Sequence, residues 1–259
     1  MRNLVSCILF FSFRGYELNN LISIILAAHN EENGISELIT TIVNAVPTGT
    51  SYEIYVAEDG STDRTREVVT ELSNKYKCVR ISQQSTRLGY SKAIQEAIKE
   101  VRGNRVMFID GDGQSDPNDL LRIMNHLRPE HVVVGYRSPR MDSKARLFQS
   151  KLFNVIYRLL RFPKLIDPSS GTVVAFREDI IDFTNKKLRL EYGFWWEFQA
   201  WLGRKGMSII EIQVSHYKRK YGETKVYLNK KIIKLSFTHI IGLFLLKKDL
   251  MREKNPLVK

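Results

Sequence analysis

Apolar residues recur along this chain in two alternating rhythms. From Leu21 onward, short β-branched runs give way repeatedly to stretches in which apolar side chains return every three or four positions, the pattern of a parallel sheet covered by helices. The runs predict strands at Ile22 to Ala28, Glu53 to Ala57, Val79 to Gln83, Arg105 to Asp110 and Val132 to Tyr136. Between them the spacing predicts helices at Glu31 to Val46, Asp63 to Lys75, Tyr90 to Arg102 and Pro117 to Leu127. Pro117 suits a first helical turn, where its missing N–H costs nothing. The order reads βαβαβαβ, so the expected class is α/β with a mostly parallel, Rossmann-like sheet.

The second half is less regular. Lys144 to Arg161 reads as a helix that is both basic and apolar. A loop follows at Asp167-Pro-Ser-Ser-Gly171, then a strand at Thr172 to Phe176, an aromatic helix around Phe194 to Trp201 and a strand at Ser208 to Val214. The last stretch, Lys230 to Met251, sets Ile233, Phe237, Ile240, Ile241, Phe244 and Leu245 on one helical face. Its apolar part reaches only about 22 Å at about 1.5 Å per residue, short of a hydrocarbon core of about 30 Å. It is expected to lie on a membrane rather than cross it. The chain thus divides into an extension at 1–20, a main domain at 21–227 and an amphipathic, basic segment at 228–259.

Composition narrows the setting. With 43% hydrophobic and 26% charged residues, the 259-residue chain is that of one large globular domain rather than a disordered or polytopic membrane protein. The net charge of +12 points to anionic partners: nucleic acid, an acidic membrane surface or phosphorylated substrates. Cys7 and Cys78 sit in unrelated contexts, which argues against a disulfide framework or a zinc site and for a reducing, cytosolic compartment. The apolar run Leu4 to Phe13 is too short to span a bilayer.

In open parallel sheets ligands gather beyond the carboxyl ends of the strands. Three such positions are polar here: His29-Asn30-Glu31, Glu58-Asp-Gly-Ser-Thr-Asp63, and Asp110-Gly-Asp-Gly-Gln114. Asp110 and Asp112, alternate residues past a strand end, can flank one hard cation such as magnesium or manganese, with Gln114 adding a neutral oxygen. A bare Asp-x-Asp is also what a solvated acidic turn looks like. Glu58 to Asp63 reads equally as a capped βα turn with Gly60 at its bend and as an acceptor set for a base or ribose. His29 and Glu31 read as a helix start or as a wall of a nucleoside pocket. Arg219-Lys-Tyr-Gly-Glu-Thr-Lys225 combines three cations with a hydroxyl, which suits phosphate binding or a solvated basic loop. The acidic strand edge speaks against nucleic acid.

Taken in order, five segments resemble the glycosyltransferases of family 2, and especially their dolichol-phosphate or polyprenyl-phosphate mannosyltransferase (hexosyltransferase) branch. They are Leu26 to Glu32, Val56 to Thr65, Asp110 to Pro117, Val134 to Arg137 with Asp167 to Gly171, and Arg219 to Lys225. The resemblance implies a GT-A fold and inverting transfer of a hexose from a nucleoside diphosphate sugar of the GDP-mannose or UDP-glucose type. It places Ala27, His29, Glu31, Ala57 and Asp59 in the nucleoside pocket. Asp110, Gly111, Asp112 and Gln114 fall at the diphosphate and its Mg2+ or Mn2+, and Arg137, Arg219 and Lys225 at donor or acceptor phosphates. The chain departs from the common pattern at Ala27 (often Pro), His29 (often Tyr) and Glu58 (often Asp).

Two acceptors remain open on these residues. A polyprenyl or dolichyl phosphate would attack without a strong base, at the cytoplasmic face of a membrane that the protein touches peripherally. A sugar hydroxyl in polysaccharide or glycolipid synthesis would need one, and Glu197 falls where other branches carry a catalytic carboxylate. The chain lacks the transmembrane helices and the Gln-x-x-Arg-Trp motif of processive synthases.

Overall fold

The computed structural model describes residues 20–84, 86–190, 193–219 and 231–252. The elements, in chain order, are β1 Ile22–Ala28, α1 Ile35–Ala45, β2 Tyr52–Glu58, α2 Thr65–Lys75, β3 Val79–Ile81, α3 Tyr90–Glu100, β4 Arg105–Asp110 and α4 Pro117–Met124. There follow β5 His131–Arg137, α5 Lys144–Leu159, β6 Val173–Phe176, the four-residue α6 Arg177–Ile180 with a 3-10 turn after it, α7 Phe194–Lys205, β7 Ser208–Val214 and α8 Lys231–Arg252. The seven strands form one sheet in the order β3-β2-β1-β4-β6-β5-β7. All neighbours are parallel except β6, which runs antiparallel to both β4 and β5.

The sheet is buried on both faces, which is why its strands read as nearly continuous apolar runs. Alternation still sorts the side chains. Ile25, Tyr55, Val106, Phe108, Val132, Val134, Val173 and Ala175 point into the core beneath α3, α5, α7 and α8. Ile24, Leu26, Ile54, Val56, Met107, Ile109, Val133 and Val174 point into the core beneath α1, α2 and α4.

Among the boundaries that differ from the sequence expectation, two have a visible cause. Strand β3 stops at Ile81 because the chain turns away there, the carbonyls of Ser82 and Gln84 being taken by Arg66. Helix α1 begins at Ile35 rather than Glu31, because the chain turns first through Asn30 at φ 54°. In helix α8, Leu243, Leu246 and Leu250 are buried in the same core as α7, while Ile241, Phe244 and Leu245 stay exposed. None of the described helices is long and apolar enough to cross a membrane. The sequence readings at Lys225 with the rest of its loop after Arg219, and at residues 1–19, lie outside the described residues.

Candidate active site at the carboxyl edge of the sheet

Parallel pairing brings the ends of β1, β2 and β4 to one edge in register: Ala27 lies opposite both Ala57 and Asp110. Beyond that edge the loops after β1 and β2 are fastened to each other. Asn30 Oδ1 accepts the Thr62 N–H at 2.8 Å, Ser61 Oγ accepts the Asn30 N–H at 3.0 Å, and Thr65 Oγ1 accepts the Glu31 N–H at 2.8 Å. Asp63 Oδ1 accepts the Thr65 N–H at the start of α2, the capping role its position implied. The hydroxyls of Ser61 to Thr65 therefore serve mainly as loop fasteners. Glu58, buried at 1% exposure, accepts the Ser61 N–H at 2.5 Å and ion-pairs with Arg66 at 2.7 Å.

The nucleoside-side candidates are arranged around this seam. Asp59 is buried, and its Oδ1 accepts the N–H groups of Leu88 and Gly89 at 2.6 and 3.0 Å, so it fixes the turn that leads into α3. Gly60, at φ 60°, has the backbone of Arg87 so close that a Cβ would lie 2.5 Å from its nitrogen. Glu31 Oε1 meets Arg219 Nη2 at 2.6 Å. A carboxylate expected at the donor and a cation expected at a phosphate thus close on each other across the edge. His29 lies half-buried in the same β1 loop.

At the end of β4 the Gly111 N–H donates to the Ala27 carbonyl at 3.0 Å, and a Cβ on Gly111 would stand 2.5 Å from that oxygen. Only glycine fits between the two aspartates. Asp112 Oδ1 accepts the Gln114 N–H at 3.1 Å, and Asp110 Oδ1 accepts the Tyr90 hydroxyl at 2.9 Å. Burial, together with the charge of Asp112, pushes Asp110 up to about 6, against the pull of Tyr90, Arg137 and Arg146. A buried carboxylate with a second one beside it is what a bound cation would relieve. Gln114 donates its side-chain N–H to the Tyr217 carbonyl at 3.0 Å, which leaves its amide oxygen as the end able to face an ion.

This donor set fits a hard divalent ion. Among the described residues no three His, Cys, Asp or Glu side chains converge as a cage. The set matches an ion that takes one or two carboxylates and completes its shell with substrate phosphates and water.

Across from the aspartates lies a buried ion-pair cluster. Arg137, at the end of β5, is bidentate to Asp167 at 2.7 and 3.0 Å and donates to Ser169 Oγ at 2.7 Å. Arg140 pairs with Asp142 at 2.7 Å and lies 3.6 Å from Asp167, while Arg146 on α5 reaches Asp142 at 2.9 Å. Burial alone would raise Asp167, but the Arg137 guanidinium outweighs it and holds the carboxyl well below its usual range. Three arginines face two aspartates, so the cluster keeps a positive surplus. His216, pushed down by burial and by Arg137, accepts the Met141 N–H on Nδ1 at 3.1 Å and ties this loop to the chain after β7. Arg140, Asp142, Arg146 and His216 escaped the sequence reading, because only the fold brings this local charge set against Asp167 and the chain after β7.

Glu197 is placed elsewhere. It follows Trp195, whose indole reaches toward Asp110, by two residues, or roughly 200° around α7 at about 100° per residue. Its Oε1 accepts the N–H groups of Arg189 and Leu190. It lines a cleft of about 310 Å³ with Lys186, Trp201 and Asp249. Burial pushes it up to about 7.

Comparison with known proteins agrees with this geometry. The family model described as "Glycosyl transferase family 2" matches residues 23–184. An undecaprenyl-phosphate 4-deoxy-4-formamido-L-arabinose transferase of Edwardsiella ictaluri is 28% identical over 216 residues, covering 82% of this chain and 64% of that protein. A dolichol-phosphate mannosyltransferase of Pyrococcus furiosus is 27% identical over 213 residues, 79% of this chain and 59% of that one. The chain thus spans somewhat under two thirds of these relatives' length. Glucosyl-3-phosphoglycerate synthase of Mycobacterium tuberculosis, solved with Mn2+, UDP and phosphoglyceric acid, superposes with a TM-score of 0.68 at 21% identity, over 88% of this chain and 78% of that one. The sheet is therefore of the GT-A type, and the chain belongs to glycosyltransferase family 2.

Proposed function

We propose that this protein is an inverting, metal-dependent glycosyltransferase that moves a hexose from a nucleoside diphosphate sugar to a polyprenyl or dolichyl phosphate. The observation that carries this reading is the pairing of an acidic strand edge, Asp110 and Asp112, with a net-positive cluster of Arg137, Arg140 and Arg146 beside it. The relatives named above support the acceptor class through the polyprenyl-linked acceptors in their names. The nucleoside is assigned to the pocket of Ala27, His29, Glu31, Ala57 and Asp59, and the diphosphate to Asp110, Gly111, Asp112 and Gln114. Mg2+ or Mn2+, when bound at the aspartates, supplies charge neutralisation to the departing diphosphate.

The chain's own residues do the rest. Arginines of the cluster, with Arg219 and Lys225, hold the acceptor phosphate so that one of its oxygens faces the anomeric carbon. The new carbon–oxygen bond forms as the bond to the diphosphate breaks, and the nucleoside diphosphate departs with that electron pair. An acceptor phosphate is already an anion, so positioning replaces general-base catalysis. A sugar-hydroxyl acceptor would need a base. Glu197, whose Oε1 is committed to two backbone donors on the side of α7 away from Trp195, is a fastener in this reading.

The acceptor's lipid requires a membrane, and we assign the contact to α5 and α8 at a cytoplasmic face. Phe148, Leu152, Val155 and Leu159 of α5 are exposed by 71%, 48%, 55% and 75%, one stripe at helical spacing. The helix carries Lys144, Arg146, Lys151 and Arg158 and no carboxylate. Apolar stripe and cationic border together suit an anionic bilayer surface.

The test is transfer itself. Purified protein with labelled UDP-glucose or GDP-mannose, Mg2+ or Mn2+ and a polyprenyl phosphate should give a label that extracts into organic solvent. Label appearing only on a soluble sugar acceptor would refute the lipid reading.

A further inference from the structure

Tyr90 is the first residue of α3, directly after Gly89, and its ring meets the edge of Phe194 at 6.0 Å. Its hydroxyl stands between two partners. Trp195 Nε1 donates to it at 2.8 Å, and it lies 2.9 Å from Asp110 Oδ1. The direction of this relay is forced by chemistry. An indole N–H can only donate, so it occupies a lone pair of the phenol oxygen, and the hydroxyl proton is turned toward the Asp110 carboxylate.

The arrangement is packed at its Trp195 end, while the Tyr90 ring stays partly exposed. Trp195 packs edge-on against Phe108 at 5.2 Å and Phe194 at 4.9 Å. Gly171 closes the flank it shares with them, since a Cβ there would lie 2.9 Å from both Asp110 Oδ2 and Trp195 Nε1. The residues just before Tyr90 reach the nucleoside side as well, because the N–H groups of Leu88 and Gly89 hold Asp59. One turn of chain therefore touches both carboxylates that bracket the donor edge.

We propose that Tyr90 is a positioning residue that fixes the rotamer of Asp110 for the donor diphosphate and its cation, and that Trp195 acts through Tyr90. No role at either position follows from the sequence motifs. The inference rests on the assignment of Asp110 to the donor site and adds to it a dependence on two residues outside those motifs.

The test is binding rather than turnover. Isothermal titration of UDP and of GDP, each with MnCl2, is run on the whole chain and on Asp110→Asn, Tyr90→Phe, Trp195→Phe and Tyr90→Phe/Trp195→Phe. Tyr90→Phe keeps the ring and its packing, and near-UV dichroism verifies the fold of each variant. For the nucleotide that the parent binds, Tyr90→Phe should weaken affinity roughly tenfold, the scale of losing a partner behind a metal or phosphate ligand. The double variant should bind no more weakly than Tyr90→Phe alone, because the proposal has Trp195 act on Asp110 through that hydroxyl. Two purely structural roles would instead give additive losses, and that result overturns the proposal. So does binding by Tyr90→Phe within twofold of the parent while Asp110→Asn has lost it. If Asp110→Asn binds as the parent does, the donor assignment itself falls, and the inference with it.

Discussion

Substituting Asp167 tests how the cation cluster is held. The carboxylate is 3% exposed and its partner Arg137 10% exposed, with two direct guanidinium contacts, and Arg140 lies 3.6 Å from the same carboxylate. Removing the charge leaves Arg137, Arg140 and Arg146 facing Asp142 alone. Breaking a buried pair on one side costs about 3–5 kcal/mol, chiefly because the surviving charge stays buried. Against a total stability of about 5–15 kcal/mol, Asp167→Ala should remove a third or more, and at about 2–4 °C per kcal/mol lower Tm by roughly 10 °C. Urea unfolding at pH 7 measures the loss. The pH dependence carries a sign. Arg137 holds Asp167 below its ordinary value when folded, so the unfolded chain binds the proton more readily. The stabilisation is present above the unfolded value of about 4 and is lost as pH falls from there through the folded value. Asp167→Asn should flatten that acid-side decline. A loss under about 1 kcal/mol for Asp167→Ala, or an unchanged acid profile for Asp167→Asn, would refute the view of the cluster as a desolvated charge network.

Three further outcomes follow from the same geometry. Glu197 is raised to about 7 by burial, so its contribution to stability is intact below about 4.5 and lost as pH rises through about 7. Glu197→Gln should remove that decline, worth on the order of 3 kcal/mol, and keep transfer within about threefold of the parent; a loss of a hundredfold or more would make it the base. Gly111→Ala pushes a Cβ to 2.5 Å from the Ala27 carbonyl, which should cost about 1–3 kcal/mol in denaturant unfolding and, by displacing both aspartates, about a hundredfold in activity. Leu152→Glu/Val155→Glu should abolish co-sedimentation with vesicles containing anionic lipid while sparing transfer to a short-chain, detergent-dispersed prenyl phosphate. Unchanged sedimentation would remove α5 from the membrane contact.

The strands and helices of the first half were legible because burial on both sheet faces leaves β-branched runs, and each helix buries one stripe. Boundaries failed where a side chain rather than a propensity ends the element. Nothing in His29-Asn-Glu31 alone says that Asn30 will turn the chain and bond to Thr62, so the helix start was read four residues early. The aspartates of the β4 edge were legible as a pattern. Tyr90 and Trp195 were not, since they lie 105 residues apart, and the Arg140–Asp142–Arg146 set was not, because its local pairs gain meaning only where Asp167 and His216 close on them from elsewhere in the chain. Glu197 was legible only as a residue type. A carboxylate in an aromatic helix suggested chemistry, and the sequence did not show that the N–H groups of Arg189 and Leu190, eight and seven residues earlier, meet its Oε1.

The reversed direction of β6 bears on how such a molecule can change. A parallel strand delivers to the site the residues that follow it, but β6 enters from that edge, so it delivers the residues that precede it, Asp167 to Gly171. With β5 and β7 on its far side, β6 marks a border between the half we assign to the donor, whose loops are stitched to one another, and the half we assign to the acceptor, built from segments entering and leaving in both senses. On that assignment, lengthening or exchanging the stretch between α5 and β6 would reshape what the enzyme glycosylates and leave the nucleotide's half of the sheet untouched. New acceptors could thus be acquired on an inherited donor platform.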